Sequence, residues 1–233
     1  MPPSGRASAS ILPRVSLLKD VPEDRERAHL TALLGSPAAV AARGLIGKVL
    51  VRRGRGEARI VETEAYLGAG DPAAHAFRGR TARTEPLWGP PGTIYVYLIY
   101  GMHHCLNMAV DGPLVQGCVL IRAAEPLPGT DLAPDACRGP GRLCRALDID
   151  RGLSGRHVFE DDAPLTLRLG VSPNSVAVSP RVGIRQAVER PLRFFDPQSR
   201  AVSGPAGGGV TSGFDRRASR LAAAGRRARR QDP

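Results

Sequence analysis

Lysine is almost missing from this chain of 233 residues: of its 33 cationic side chains only Lys19 and Lys48 are lysines, and the other 31 are arginines. A lysine imine is thereby confined to those two positions, so a reaction at a sugar carbon is more simply served by water as the nucleophile. Cysteine is scarce as well. Cys105, Cys118, Cys137 and Cys144 include no pair at the short spacing of zinc or iron–sulfur ligands, which argues against a metal centre built on thiolates. They read as reduced, small, buried side chains, with room for one exposed thiol. No apolar run approaches the roughly 20 residues of a membrane span, and the opening MPPSGRASAS carries no apolar stretch of the kind a secretory signal needs. The expected compartment is the cytoplasm, or the nucleoid of a bacterium, and nothing points to a membrane partner. The chain also lacks a Gly-x-x-x-x-Gly-Lys loop and a Gly-x-Ser-x-Gly elbow, which disfavours nucleotide hydrolysis and serine-hydrolase chemistry.

What is present fits one soluble globular domain: 42% hydrophobic and 24% charged residues, close to the averages for that class. The net charge of +11 suggests an acidic partner such as nucleic acid. More than half of that excess sits in residues 216–233, where seven arginines face one aspartate, so the charge of the rest argues for nucleic acid only modestly.

Composition divides the chain into a loosely ordered segment over 1–23, a domain over 24–197 and a Gly/Pro/Arg-rich disordered tail over 198–233. Within the domain, Asp24 to Leu34 reads as a helix, and Ser36-Pro37 opens a second with Ser36 as its N-cap. Strands are expected over 48–52, 58–66, 93–100, 102–110 and 118–124, a short helix over 142–147, and late strands over 165–169, 181–184 and 192–195. The Gly/Pro-rich stretch 68–92 reads as a long loop, and a loop of that length in a compact domain is usually functional or disordered.

Chemistry concentrates in one region. The chain is 4% aromatic, yet Tyr66, Trp88, Tyr95, Tyr97 and Tyr100 all fall between residues 66 and 100. On a strand, alternation puts Tyr95 and Tyr97 on one face and Tyr100 on the other. Such rings are ordinary core or a stacking wall for a flat ligand such as a base; their density beside a basic loop favours the wall. In Ile60-Val61-Glu62-Thr63-Glu64-Ala65-Tyr66, a regular strand places Ile60, Glu62, Glu64 and Tyr66 on one face. Two carboxylates beside an aromatic can form a general-base site, as they can any solvated strand face. His75, His103, His104 and Glu62 admit a metal-dependent hydrolase, although none has a recognised ligand spacing, so a metal site is not expected. The loop Arg78-Gly79-Arg80-Thr81-Ala82-Arg83-Thr84 can contact phosphates or simply be solvated.

Taken together, Arg59 to Gly68, Asp71-Pro72-Ala73-Ala74-His75, Pro91 to Met102, Cys105-Leu106-Asn107, Val119 to Ala123, Gly139 to Cys144, Pro180 to Gly183 and Pro191 to Phe195 resemble the alkyladenine (3-methyladenine, mammalian-type) DNA glycosylase family. The likeness runs in order over roughly residues 30–196. It implies an α+β fold, a single compact domain with a curved, mainly antiparallel sheet flanked by short helices. It also implies excision of alkylated or deaminated purines from double-stranded DNA by a monomer without cofactor or metal. By that resemblance Glu64 activates water, with Arg122 a polar neighbour of that water. Tyr66, His75, Tyr97 and Asn107 line the base pocket, and Tyr100 enters the duplex where the lesion leaves. The segment Thr84-Glu85-Pro86-Leu87-Trp88 departs from the family pattern, and Glu85 is expected to repel phosphate. The alternatives are a non-catalytic damaged-DNA binder that keeps the stacking tyrosines, and the metal hydrolase.

Overall fold

A computed structural model describes residues 22–112 and 114–204. Nearly all of the expected N-terminal segment and the Arg-rich end lie outside the described residues. Two helices, α1 (Glu23–Leu34) and α2 (Ala38–Leu45), precede β1 (Val49–Arg52) and β2 (Gly56–Tyr66). Three single-turn 3-10 segments, Gly68–Gly70, His75–Arg78 and Glu85–Trp88, interrupt the long loop, and β3 (Ile94–Ile99), β4 (His103–Val110) and β5 (Gly117–Pro126) follow. Helix α3 (Pro140–Ala146), a 3-10 turn at Arg151–Leu153, β6 (Leu165–Arg168), β7 (Ala177–Ser179) and β8 (Arg193–Phe195) complete the described elements. All strand pairs are antiparallel, in the order β3-β4-β5-β2-β1-β6, with β8 pairing both β2 and β7. The class is α+β, a curled sheet with a few short helices. None of the described helices is long and apolar enough to cross a membrane.

The period-two alternation of strands decides what each face carries. Ile94, Val96, Leu106, Met108, Val119 and Ile121 point to one side, where they bury against Leu30 and Leu34 of α1, Leu45 of α2 and Leu143 of α3. The intervening residues, Tyr95, Tyr97, Cys105, Asn107, Cys118 and Arg122, occupy the other face. The strong apolar side thus anchors the register, and the polar side inherits its geometry. All four cysteines are buried.

The regular-strand expectation for β2 fails at one point. Along one edge, β2 pairs with β1 through Gly56–Arg59 and then with β8 through Glu62–Glu64; along the other its register against β5 shifts between Ile60 and Glu62 and again between Glu62 and Thr63. These irregularities flip the parity. Ala58 and Ile60 lie in the main core, and so does Ala65, while the Thr63 hydroxyl reaches the Ala42 carbonyl of α2 at 2.8 Å. Ile60 therefore faces away from Glu62, Glu64 and Tyr66 instead of sharing their side.

Other expectations are corrected as well. Ser36 does not cap α2; Pro37 holds that position, and the Ser36 hydroxyl donates back to the Ala32 carbonyl of α1. No strand forms over 181–184, because the Val182 amide is taken by a carboxylate rather than a ladder partner. Residues 198–204, assigned by composition to the tail, are folded down: Ala201 and Val202 bury against Val61, Ala123, Ala177 and Phe195. Their small side chains fill a gap that a hydropathy reading does not register.

Candidate active site

The parity flip in β2 sends two carboxylates to the same interior place, and both are completely buried. An ionised carboxylate there needs matching donors. For Glu62, Oε1 accepts from Arg193 Nε at 2.6 Å and Arg122 Nε at 3.2 Å, and Oε2 accepts the Ser203 amide at 2.6 Å. Arg193 also meets the Ser179 hydroxyl, the Ser203 carbonyl and the face of Phe195. Glu62 thus sits between two arginines and the backbone of the last described segment, as a structural counter-ion.

Glu64 differs. Its Oε1 accepts the Val182 amide at 2.7 Å and lies 3.3 Å from Arg122 Nη1, while Oε2 accepts the Tyr66 hydroxyl at 3.0 Å. A carboxylate offers about four acceptor positions, so each glutamate keeps one on Oε2; that of Glu64 lies beside the Tyr66 hydroxyl, that of Glu62 beside the Ser203 backbone. Burial pushes the Glu64 carboxyl above its ordinary value of 4.5; Arg122, the Val182 amide and the Tyr66 hydroxyl oppose that shift, and Glu62 adds to it. With both carboxylates ionised, Glu62 and Glu64 balance Arg122 and Arg193, so the buried cluster is neutral. With its pKa raised, the ionised carboxylate is a stronger base than an exposed one. Arg122 spans the two glutamates.

Aromatic walls rise beside it. Tyr66 follows Glu64 on the same face, its ring 4.6 Å from the guanidinium carbon of Arg181, and burial raises its phenol well above the ordinary range. Arg181 is fixed in turn by a fully buried pair with Asp71 and by the Ala65 carbonyl. Gly68 makes the turn that carries Asp71 there: at φ +71°, a Cβ would sit 1.8 Å from the Val115 carbonyl oxygen, so only glycine fits. Opposite, the His75 ring stands edge-on to Tyr97 at 4.6 Å, and its Nδ1 is 2.9 Å from the Tyr95 hydroxyl. Burial first, and the charge of Arg83 second, lower His75 to about 4. His75 is therefore neutral at physiological pH and does not repel a charged base. Asn107, paired with Tyr95 across β3 and β4, donates its side-chain amide to the Tyr95 and Cys105 carbonyls at 3.2 Å. Tyr95, Leu87, Ala76 and Cys118 make the apolar floor.

Tyr100 reaches its exposed position by a different route from the expected strand alternation. Tyr100 and Gly101 are the two central residues of the β3–β4 turn, at φ +53° and +71°, closed by the Met102 amide on the Ile99 carbonyl. This two-residue geometry suits the twist of a hairpin but strains a tyrosine. The ring is 82% exposed, beside Met102 at 71%. Tyr100→Gly is expected to leave the melting temperature unchanged or raise it, while lowering excision of a duplex lesion. A destabilised variant with full activity would remove Tyr100 from the duplex-opening role.

His75, His103, His104 and Glu62 are not brought together; His103 is exposed at the start of β4, and among the described residues no three His, Cys, Asp or Glu side chains are placed to share a metal ion. Nor is Glu85 a bare negative charge. Arg80 clasps its carboxylate with two nitrogens. The sequence reasoning missed Arg193, Ser203, Asp71 and Arg181 as parts of the site. Their segments, Pro191 to Phe195 and Pro180 to Gly183, belong to the family likeness, but an arginine's buried partner far along the chain leaves no local spacing to read.

Fold and site together define a protein that can hold a flat, unstacked ring between aromatic side chains and present it to a water on a buried carboxylate. The comparisons narrow this class. The family model described as "Methylpurine-DNA glycosylase (MPG)" matches residues 32–200, and the chain belongs to that family. It is 43% identical over 190 residues to a Methanocella arvoryzae protein named "Putative 3-methyladenine DNA glycosylase", covering 75% of this chain and 94% of that one. A Synechococcus elongatus protein of the same name is 46% identical over 176 residues, covering 73% and 88%. Mouse DNA-3-methyladenine glycosylase is 40% identical over 220 residues, covering 82% of this chain and 65% of its own.

Proposed function

We infer that this protein is a base-excision repair enzyme, a monofunctional DNA glycosylase that removes alkylated or deaminated purines from duplex DNA. The observation that carries this reading is Glu64: buried, charge-balanced, and left with one open acceptor position beside tyrosine rings. A base inside a duplex is out of reach, so the nucleotide must swing out of the stack at a cost of a few kcal/mol, least for a damaged pair. Tyr100 fills the gap, and Tyr66 with Tyr97 stacks on the extruded purine beside His75. Asn107 forms part of the wall and excludes the exocyclic amine of guanine. Water bound to Glu64 Oε2 then adds through oxygen to C1′ as the bond to the purine nitrogen breaks. Its proton passes to Glu64, and the electron pair leaves with the base. The carboxylate charge and the fixed Arg122 also suit a sugar that becomes cationic during bond breaking. Every group of this site comes from one chain, which supports action as a monomer.

The test is release of free base from duplexes carrying hypoxanthine, ethenoadenine or 3-methyladenine, with EDTA present, leaving an intact abasic strand. Tight binding to damaged duplex without release would turn the reading to a damage sensor, and loss of release in EDTA would turn it to a metal enzyme. The Glu64 environment fixes the pH profile as well. The base works ionised, and its pKa is raised, so the single-turnover rate is expected to fall on acidification at a pH above the ordinary 4.5 of a glutamate. A rate flat down to pH 4 would contradict the base role.

A further inference from the structure

The loop ahead of β3 turns one of its arginines toward the pocket. Arg80 is tied to Glu85, whereas the guanidinium carbon of Arg83 lies 5.4 Å from the centre of the Tyr97 ring, and its charge opposes the rise that burial imposes on the Tyr95 phenol. The loop holds Arg83 there through its neighbours. Thr84 is buried, its hydroxyl accepts the Thr81 amide at 2.9 Å, and the Thr81 hydroxyl accepts the Thr84 amide at 3.2 Å. Among the described residues no carboxylate is within ion-pair distance of Arg83, which stands at the Tyr97 ring.

We propose that Arg83 is a specificity-determining residue, a fixed cation beside the base pocket that disfavours purines already carrying a positive charge and so levels excision between cationic and neutral lesions. This rests on the glycosylase reading. A cationic methylpurine has two advantages over a neutral one: it is drawn to the faces of Tyr66 and Tyr97, and it departs as a neutral molecule, with no proton needed. Arg83 works against the first, because the Tyr97 ring already faces a guanidinium and like charges a few ångströms apart repel. A neutral purine meets no such repulsion, and its ring nitrogens or carbonyl oxygen can accept from a guanidinium. The same field reaches His75, whose ring also meets Tyr97, where it adds to burial in keeping the imidazole uncharged. One end of Arg83 is in solvent, so screening holds the effect to about fivefold to tenfold in relative rate.

The experiment compares single-turnover excision of 3-methyladenine and hypoxanthine from otherwise identical duplexes by the wild type, Arg83→Gln and Arg83→Lys, with the His75 ring titration followed by NMR in each. Arg83→Gln should raise the ratio of cationic to neutral excision by about fivefold to tenfold and move the His75 pKa upward, while Arg83→Lys stays near the wild type on both. An unchanged ratio in Arg83→Gln overturns the proposal. So does an equal fall for both lesions that weakens as salt rises, which would make Arg83 a backbone phosphate contact. A wild type that excises neither lesion brings down the glycosylase reading, and the proposal with it; a wild type that excises both, with a ratio indifferent to Arg83, sinks the proposal alone.

Discussion

Glu64→Gln is expected to cut single-turnover base release by about 10²- to 10⁴-fold, the usual contribution of a positioned general base, while affinity for the damaged duplex stays within about a factor of three. The substitution keeps the shape and the hydrogen bond from Tyr66, but an amide cannot take the proton of the attacking water. It also leaves the buried cluster with one surplus positive charge on Arg122 and Arg193, so a moderate loss of stability accompanies the loss of rate. Rates measured well below the variant's melting temperature separate the two. Glu62→Gln gives the contrast: Glu62 touches Arg122, Arg193 and the Ser203 amide and has no contact with a tyrosine, so its replacement should act mainly on folding. If Glu64→Gln retains wild-type rates, the water is activated elsewhere and the proposed chemistry is wrong.

Arg181→Met should produce the largest loss of stability, about 3–5 kcal/mol at neutral pH, because it strands Asp71 as a buried charge. For a domain of this size that corresponds to a fall of roughly 6–20 °C in melting temperature. Burial works against the Asp71 charge, but the Arg181 hydrogen bonds and the amides of Leu67 and Ala73 outweigh it and hold the carboxyl below its ordinary 3.8. A depressed carboxyl stabilises the fold above its unfolded pKa and loses that contribution as pH falls through the folded one. The difference between wild type and Arg181→Met should accordingly be full at neutral pH and shrink as acid protonates Asp71, first in the variant, where the stranded carboxyl lies above its ordinary 3.8, and then in the wild type, where it lies below. A difference that is independent of pH would mean that packing against Tyr66, not the ion pair, dominates. Base stacking should weaken too, since Arg181 supports the Tyr66 ring.

The elements most legible in the sequence were those whose signal is local. Alternation and β-branched density mark β3, β4 and β5 to within a few residues, and Tyr66, Tyr95 and Tyr97, close in sequence, pack in one cluster. The motif around Glu64 carried its assignment only through family resemblance, because Glu-x-Glu by itself is also an ordinary solvated strand face. What stayed hidden was set by partners far away in the chain. The change of strand partner along β2 re-aims Ile60, and no residue type there announces it. Arg181 and Val182 serve Asp71 and Glu64, which took them out of the expected strand. Residues 198–204 look like a tail by composition and yet supply the Ser203 amide. Arg83 resembles any loop arginine until the Tyr97 ring is found beneath it.

That Ser203 amide has a consequence for synthesis. Glu62 and Ser203 are 141 positions apart, and at about 5–20 residues per second the ribosome needs roughly 7–28 s to travel between them. Throughout that interval the nascent chain holds a carboxylate destined for the interior before Arg193 and Ser203 exist to receive it. The Glu62 and Glu64 cluster is therefore completed only after the strand that carries it has been made. A ribosome stalled between codons 180 and 200 should display a chain that has most of its sheet and none of its activity.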